Sequence, residues 1–340
     1  MKTKILELKT HTLEEIAATA SVVLKNGGLV VFPTETVYGI GANALDKDAA
    51  SKIYMVKGRP SDNPLIVHLS SSDQISLYAK ADHPYLKLLT NAFWPGPLTI
   101  VLPKKDNIPS EITGGLQTVA LRSPSHPIAQ AILQKSQLPV CAPSANISGT
   151  PSSTSFSHVL DDLNSAVDII INGGESTVGL ESTVLDLTSD VPIILRPGSI
   201  TKEMLEECIQ SPVLLSDSTQ KVKDIPKAPG MKYKHYSPKG DAFILKGSHE
   251  QIISFFKQTP KEAALIACTN IVSKIDNRIT FDLGYENDLE TIAKYIFHAL
   301  REMDRMNVPT IYIQSFPNKG LGVAIMNRLK KAANNKIITL

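Results

Sequence analysis

Lys57 and Arg59 flank Gly58 in the stretch KGRPSDNP, residues 57–64, directly before the apolar run LIVHL. Two cations on a proline-stiffened turn at the mouth of a strand suit a phosphate ligand. Arg59, held between Gly58 and Pro60, presents a planar fork for bidentate contact with phosphate or carboxylate. Asn63 precedes a proline, which restricts it to extended backbone, and its amide can be aimed at the same ligand. The plainer alternative is a solvated turn in which Lys57 complements the dipole at a helix C-terminus.

Further stretches carry compatible chemistry. FPTETVYGIGANA (32–44) offers Thr34, Glu35, Thr36 and Tyr38 beside Gly39 and Gly41, and reads as backbone that can approach a small polar ligand or as a turn rich in hydroxyls, without a GxxxxGK[ST] or GxGxxG signature. His68 shares a strand face with Ile66 and reads as a ligand or as a hydrogen-bonded core residue. Thr118, Ala120 and Arg122 share one face of TVALRSP; an arginine there is a clamp for carboxylate or phosphate, or a surface ion pair. APSANISG (142–149) supplies Ser144, Asn146 and a permissive Gly149, a set able to hold phosphate or ribose. No GxSxG elbow accompanies it, so a hydrolase nucleophile is excluded. Glu181, Ser182 and Thr183 enter one strand, and Arg196 leaves the next just before Pro197-Gly198. Lys57, Arg59, Arg122 and Arg196 are four cations at strand ends, interleaved with hydroxyls and amides. That set suits a ligand with several negative charges, such as a nucleoside triphosphate plus a carboxylate. No HxH or HExxH cluster implies an intrinsic metal, so Mg2+ is expected only with the triphosphate, held by phosphate oxygens and water.

These residues need a scaffold, and the chain supplies one. Its 340 residues, 42% hydrophobic and 20% charged, suffice for two domains with buried cores. The net charge of +2 gives no global argument for nucleic-acid binding. Cys141, Cys208 and Cys268 lack zinc or disulfide spacing and read as reduced core thiols. The charged N-terminus is no secretory signal, and no run reaches the ~18 apolar residues of a membrane span; a cytoplasmic protein is expected.

Over residues 1–210, helical periods (THTLEEIAATASVVLKN, 47–56, HPYLKLLTNAF, HPIAQAILQKS, 201–209) alternate with short strands (LVVF, LIVHL, LTIVLP, TVALR, PVCAP, DIIIN, STVLDL, PIILR). This predicts one α/β domain with a large, mostly mixed sheet. Residues 211–240 have four prolines and no apolar period, and read as a linker or functional loop. Residues 241–340 regain strand–helix alternation (AFILK, 248–257, AALIAC, 287–305, TIYIQSF, 321–333), which predicts a smaller, Rossmann-like parallel α/β domain. In it, Gly320 and Gly322 before a helix resemble a nucleotide-binding turn or mark tight helix–strand packing.

In this order, the motifs PTETVYGIGANA, KGRPSDNPLIVH, WPGPLTIVL, VALRSPSHP, APSANISG, GLESTVLDL, LRPGSIT, PGMKYKHYSP and GLGVAIMNRLKKAA resemble the threonylcarbamoyl-adenylate synthase family in its two-domain form. The resemblance runs from about residue 12 to 334. It implies a YrdC-like catalytic domain, a linker acting as an active-site lid and a C-terminal domain. It also implies that L-threonine, bicarbonate and ATP become L-threonylcarbamoyl-AMP and pyrophosphate, and that downstream tRNA-modifying threonylcarbamoyltransferase machinery uses the product at tRNA position 37. Residue by residue, it implies L-threonine contacts from Thr34, Thr36, His68, Arg122, Ala142 and Ser182. ATP contacts would come from Lys57, Arg59, Asn63, Thr118, Ser144, Asn146, Ser152 and Arg196, with His235 or Tyr236 reaching in from the linker. Lys57 and Arg59 would also stabilise charge developing on the phosphates.

Two other readings compete. An RNA-binding module would use Lys221, Lys223, Lys227, Lys232, Lys234 and Lys239 along a phosphate backbone, with a weak tRNA contact as its mildest form. A carbamoyltransferase of the hydrogenase-maturation type also carries a YrdC-like domain, but needs zinc-finger-like modules that three cysteines do not provide.

Overall fold

The computed structural model describes residues 2–216 and 235–340. It divides into two compact units. The first comprises Met1–Ser148, Ser153–Thr177 and Glu181–Lys232; the second comprises Gly149–Ser152, Val178–Leu180 and Tyr233–Leu340.

The strands of the first unit are β1 (Lys4–Glu7), β2 (Val30–Phe32), β3 (Gly39–Asn43), β4 (Ile66–His68), β5 (Leu98–Pro103), β6 (Thr118–Arg122), β7 (Val140–Cys141), β8 (Ile169–Asn172), β9 (Thr183–Asp186), β10 (Ile193–Arg196) and β11 (Leu214–Leu215). Its helices are α1 (Leu13–Lys25), α2 (Lys47–Lys57), α3 (Ile75–Tyr78), α4 (Leu86–Phe93), α5 (Ser110–Thr113), α6 (Pro127–Ser136), α7 (Phe156–Leu163) and α8 (Lys202–Ile209). Among the described residues the strands form one sheet in the order β1-β8-β2-β3-β7-β4-β6-β5-β9-β10-β11. Pairing is mixed: β4/β6 and β5/β9 run parallel, whereas β2/β3, β3/β7 and β5/β6 run antiparallel.

Period-two alternation sorts the core onto both faces of this sheet. Val30, Phe32, Ile169 and Ile171 pack with Ile16, Ala20 and Leu24 of α1 and Ile132 of α6. Val31 and Ile170 face the opposite way, into the larger cluster with Ile53 and Leu89. The start of α1 carries the expected capping box between Thr12 and Glu15. Gly58 ends α2 in the left-handed conformation at φ 59°, which glycine adopts without strain.

Three elements depart from the sequence reading. Gly39–Asn43 forms β3, not a turn. A Cβ on Gly41 would lie 2.7 Å from Phe32 and 2.8 Å from Val140, so the glycine is there to let the strand pass its neighbours. The charged N-terminal run forms edge strand β1 against β8. Leu214 and Leu215, in the stretch read as featureless, form β11 beside β10.

The second unit contains β12 (Asp241–Lys246), β13 (Ala264–Ala267), β14 (Ile279–Asp282), β15 (Thr310–Gln314) and β16 (Ile337–Thr339), with α9 (His249–Lys257), α10 (Thr269–Val272), α11 (Leu289–Arg305) and α12 (Leu321–Ala332). Its sheet has the order β14-β13-β15-β12-β16, and every pairing in it is parallel. A Cβ on Gly322 would lie 2.0 Å from the Pro317 carbonyl oxygen. That glycine therefore serves close packing against the loop before the helix, as the packing alternative has it, whereas Gly320 takes a positive φ of 54° with open space beside it. No helix among the described residues is long and apolar enough to cross a membrane.

Candidate active site

The parallel pair β4 and β6 is the spine of the site. Its register sets His68 beside Arg122 and Ile66 beside Ala120. Arg122, 4% exposed, is held on three sides. Its Nη2 pairs with Glu35 Oε1 at 2.7 Å, Nη1 donates to Thr36 Oγ1 at 2.9 Å, and Nε donates to the Gly96 carbonyl at 3.2 Å. A guanidinium has five N–H donors, so one on each terminal nitrogen remains to meet a carboxylate. Thr34 donates to the Val37 carbonyl at 2.6 Å, which orients the 2.8 Å contact with Thr36 so that Thr36 donates to Thr34. Thr34 thus holds the turn, and Thr36 faces the arginine.

His68 is buried, with Nδ1 3.2 Å from the Ile66 carbonyl oxygen. Burial first, and the Arg122 charge second, push its pKa down to about 3. It is therefore a neutral imidazole near neutral pH. The Ala142 N–H donates to Ile66 O at 2.9 Å, so a backbone contact from Ala142 to a ligand falls to its carbonyl.

At the other end of the spine, Lys57 and Arg59 are only 2% and 9% exposed, which rules out the solvated surface turn. Lys57 Nζ donates to the carbonyls of Ser144 and Asn146. Arg59 donates through Nε to Asn63 O at 3.3 Å and through Nη2 to Pro64 O at 3.0 Å. Asn63 is 2% exposed, and its Oδ1 has no hydrogen-bond partner among the described residues. A buried amide oxygen without a partner is costly and marks a place where a ligand would supply a donor. Ser144 is joined to Asn146 Oδ1 by its hydroxyl at 2.5 Å and bridges to Gly39 of β3. Thr118 is half-buried at the start of β6, opposite Pro103. Four residues of strand separate it from Arg122, about 13 Å.

The third wall is the β9–β10 pair. Arg196 donates to the Ser182 carbonyl through Nε at 3.1 Å and Nη2 at 3.0 Å, and to the Ser182 hydroxyl at 3.1 Å. That hydroxyl also meets Thr99 Oγ1 at 2.7 Å. The loop before β5 ties this wall to the spine: Gly96 N–H donates to Ser123 O, and Thr183 N–H donates to Pro97 O.

Within the second unit, Pro151 O accepts from Arg301 Nε at 3.0 Å and Nη2 at 2.6 Å, which fixes the backbone beside the buried Ser152. Tyr236 packs its ring on Phe297 at 5.0 Å with the Arg328 guanidinium 5.6 Å away. His235 is buried beside it. The expected lid lies largely outside the described residues, as do Lys221, Lys223, Lys227, Lys232 and Lys234 of the RNA-binding reading.

Thus Thr34, Thr36 and Arg122 form one bonded group, with His68 beside Arg122 in the strand register; Ser182, Thr99 and Arg196 form a second, and Lys57, Ser144 and Asn146 a third; Arg59 and Asn63 share the loop into β4. The sequence reading misplaced two residues. Glu35 was read only as part of a hydroxyl-rich turn, although a buried arginine implies a carboxylate, and Glu35 is the one in that motif. Tyr38, offered as a site hydroxyl, donates instead to the Gly174 carbonyl at 2.7 Å.

Known proteins are similar to this chain along nearly its whole length. The family model described as "Telomere recombination" matches residues 22–198, and the model described as "Threonylcarbamoyl-AMP synthase, C-terminal domain" matches residues 200–334. The chain is 43% identical to the threonylcarbamoyl-AMP synthase of Pyrococcus abyssi over 343 residues, covering 99% of each protein. It is 43% identical to that of Bacillus subtilis over 325 residues, covering 94% of each. The crystal structure of P. abyssi Sua5 complexed with L-threonine superposes with a TM-score of 0.91 at 42% identity, covering 100% of both chains.

Proposed function

The chain belongs to the threonylcarbamoyl-AMP synthase family, and from that premise we propose how its residues divide the work. It is an L-threonylcarbamoyl-AMP synthase: L-threonine, bicarbonate and ATP give L-threonylcarbamoyl-AMP, pyrophosphate and water. The RNA-binding and carbamoyltransferase readings are set aside, because curated relatives spanning nearly the whole chain carry the synthase name.

The observation that carries the division is the two-ended spine. Arg122, with two N–H donors remaining, stands at one end of β6. Buried Arg59 and the unpartnered Asn63 Oδ1 stand on the loop entering β4. The first end receives the L-threonine carboxylate on Arg122, with Thr36, His68, Ser182 and the Ala142 carbonyl around the rest of the amino acid and Thr34 supporting Thr36. The second receives ATP through Lys57, Arg59, Asn63, Thr118, Ser144 and Asn146, and Arg196 would reach the nucleotide from its place on Ser182. Ser152 and either His235 or Tyr236 would complete the nucleotide contacts, with residues 211–240 acting as linker and lid between a catalytic domain over 1–210 and a C-terminal domain over 241–340.

In this scheme bicarbonate takes up a proton and loses water to give carbon dioxide, and the threonine amine adds to its carbon, releasing a proton, to give a carbamate. A carbamate oxygen then attacks the α-phosphorus in line, and pyrophosphate leaves. The protein contributes position and charge, without a covalent nucleophile. Lys57 and Arg59 offset charge developing on the phosphates. The carboxylate of Glu35 is committed to Arg122, and the other named ligand groups are cations, amides, hydroxyls, one backbone carbonyl and the His68 imidazole, which leaves no free carboxylate for a hard divalent ion. Mg2+ would therefore enter as the counter-ion of ATP. Exclusion of water by the lid would protect the carbamate. The product would be consumed in the cytoplasm by the tRNA-modifying machinery that transfers the threonylcarbamoyl group.

The test is pyrophosphate release from ATP, measured with L-threonine and bicarbonate supplied together and singly. Release is expected only with both; release indifferent to threonine would refute the scheme.

A further inference from the structure

Glu35 is an acidic side chain 6% exposed beside the amino-acid end. Its two oxygens have different partners. Oε1 takes Arg122 Nη2 at 2.7 Å, and Oε2 accepts the backbone N–H of Ser125 at 3.1 Å. The main-chain contact fixes the carboxylate, and the carboxylate fixes the guanidinium. With Thr36 on Nη1 and Gly96 on Nε, Arg122 has one orientation left. Buried charges need pairing and hydrogen bonding to be tolerated, and this pair has both.

The pair also sets the charge of the pocket. At the fork Glu35 offsets Arg122, His68 is neutral because burial and Arg122 disfavour its proton, burial holds His126 below its ordinary value despite the nearby Glu35, and Arg196 is committed to Ser182. A ligand that brings only a carboxylate would place a second negative charge near Glu35, with nothing new to offset it. A zwitterion brings its own ammonium with its carboxylate and leaves the total unchanged. Like charges sharing a site of low dielectric are strongly disfavoured.

On the reading that Arg122 receives the L-threonine carboxylate, we infer that Glu35 is a positioning residue that fixes the Arg122 fork and makes this end select a zwitterionic α-amino acid over a plain hydroxy acid. It acts through Arg122, and through the charge it places beside the substrate.

The experiment compares the wild-type enzyme with Glu35→Gln and Glu35→Asp. It reads KM for L-threonine, KM for ATP, kcat, and inhibition by 3-hydroxybutanoate, which has threonine's carboxylate and hydroxyl but no amine. Glu35→Gln is expected to raise KM for L-threonine about tenfold or more, with KM for ATP within about twofold. The ratio of the 3-hydroxybutanoate inhibition constant to the threonine KM should fall, because the selecting charge is gone. Glu35→Asp keeps the charge at shorter reach and should restore part of that ratio. Parallel rises in both KM values with an unchanged ratio would overturn the inference and leave Glu35 a purely structural group. Should Glu35→Gln fail to fold, wild-type binding decides: 3-hydroxybutanoate must bind about 100-fold more weakly than L-threonine, and equal binding overturns the inference. If the wild type shows no threonine-dependent turnover of ATP, the underlying reading falls and the inference with it; normal wild-type turnover with an unshifted ratio removes the inference alone.

Discussion

Arg196 grips Ser182 with three hydrogen bonds, two to its carbonyl and one to its hydroxyl. The sequence motifs assigned Ser182 to the amino acid and Arg196 to the nucleotide, yet the two are one mechanical unit. Arg196→Ala is therefore expected to raise KM for both substrates by about tenfold, since each hydrogen bond to a charged group contributes about 1.5–3 kcal/mol. Steady-state kinetics with each substrate varied in turn checks it. An unchanged threonine KM would show that Ser182 keeps its place alone.

Lys57 pins the loop after β7 to the end of α2, because its ammonium donates to both the Ser144 and Asn146 carbonyls, and it stands at the end proposed for the nucleotide. Lys57→Met should lower kcat by about 100-fold or more. It should also lower stability by about 1–3 kcal/mol for each buried carbonyl left without a donor. Denaturant titration beside turnover separates the two effects.

Asn63 should behave differently. Its Oδ1 makes no hydrogen bond that a substitution would break. Asn63→Ala is expected to change unfolding free energy by no more than about 1 kcal/mol, while KM for ATP rises about tenfold and KM for L-threonine stays put. A large loss of stability with an unchanged ATP KM would make Asn63 a scaffold residue.

His68 gives a prediction in pH. Its folded pKa, down at about 3, lies below the ordinary 6.5. Between those values the unfolded chain binds a proton that the native site refuses. Stability therefore falls as pH drops through 6.5 toward 3 and is unaffected by this group above 6.5. From pH 7 to pH 5 the wild type should lose about 2 kcal/mol more than His68→Gln. Equal losses in the two proteins would mean that His68 takes up its proton in the fold.

Much of this was legible in the sequence because local chemistry and global packing agree there. The Thr12–Glu15 capping box, the alternation through Val30, Val31 and Phe32, and Gly58 after a helical run each specify one local structure. Where they disagree, the sequence misleads. Gly39 and Gly41 read as a loop because glycine is a poor strand former. The strand forms by pairing with β2 and β7, where Phe32 and Val140 leave no room for a side chain at Gly41. Arg122 and the Lys57–Asn63 turn were readable as anion-binding groups from residue type and setting. Glu35 was not, because its meaning depends on a partner 87 residues away. The hydroxyl of Tyr38 misled for the same reason: its acceptor, Gly174, lies 136 residues on.

The most direct test of the central claim is mass spectrometry of the product made from ATP, L-threonine and carbon-13 bicarbonate. The account predicts L-threonylcarbamoyl-AMP carrying the heavy carbon, formed with pyrophosphate and lost when any one of the three substrates is withheld. Threonyl-AMP without the labelled carbon, or AMP formed equally well without threonine, would contradict it.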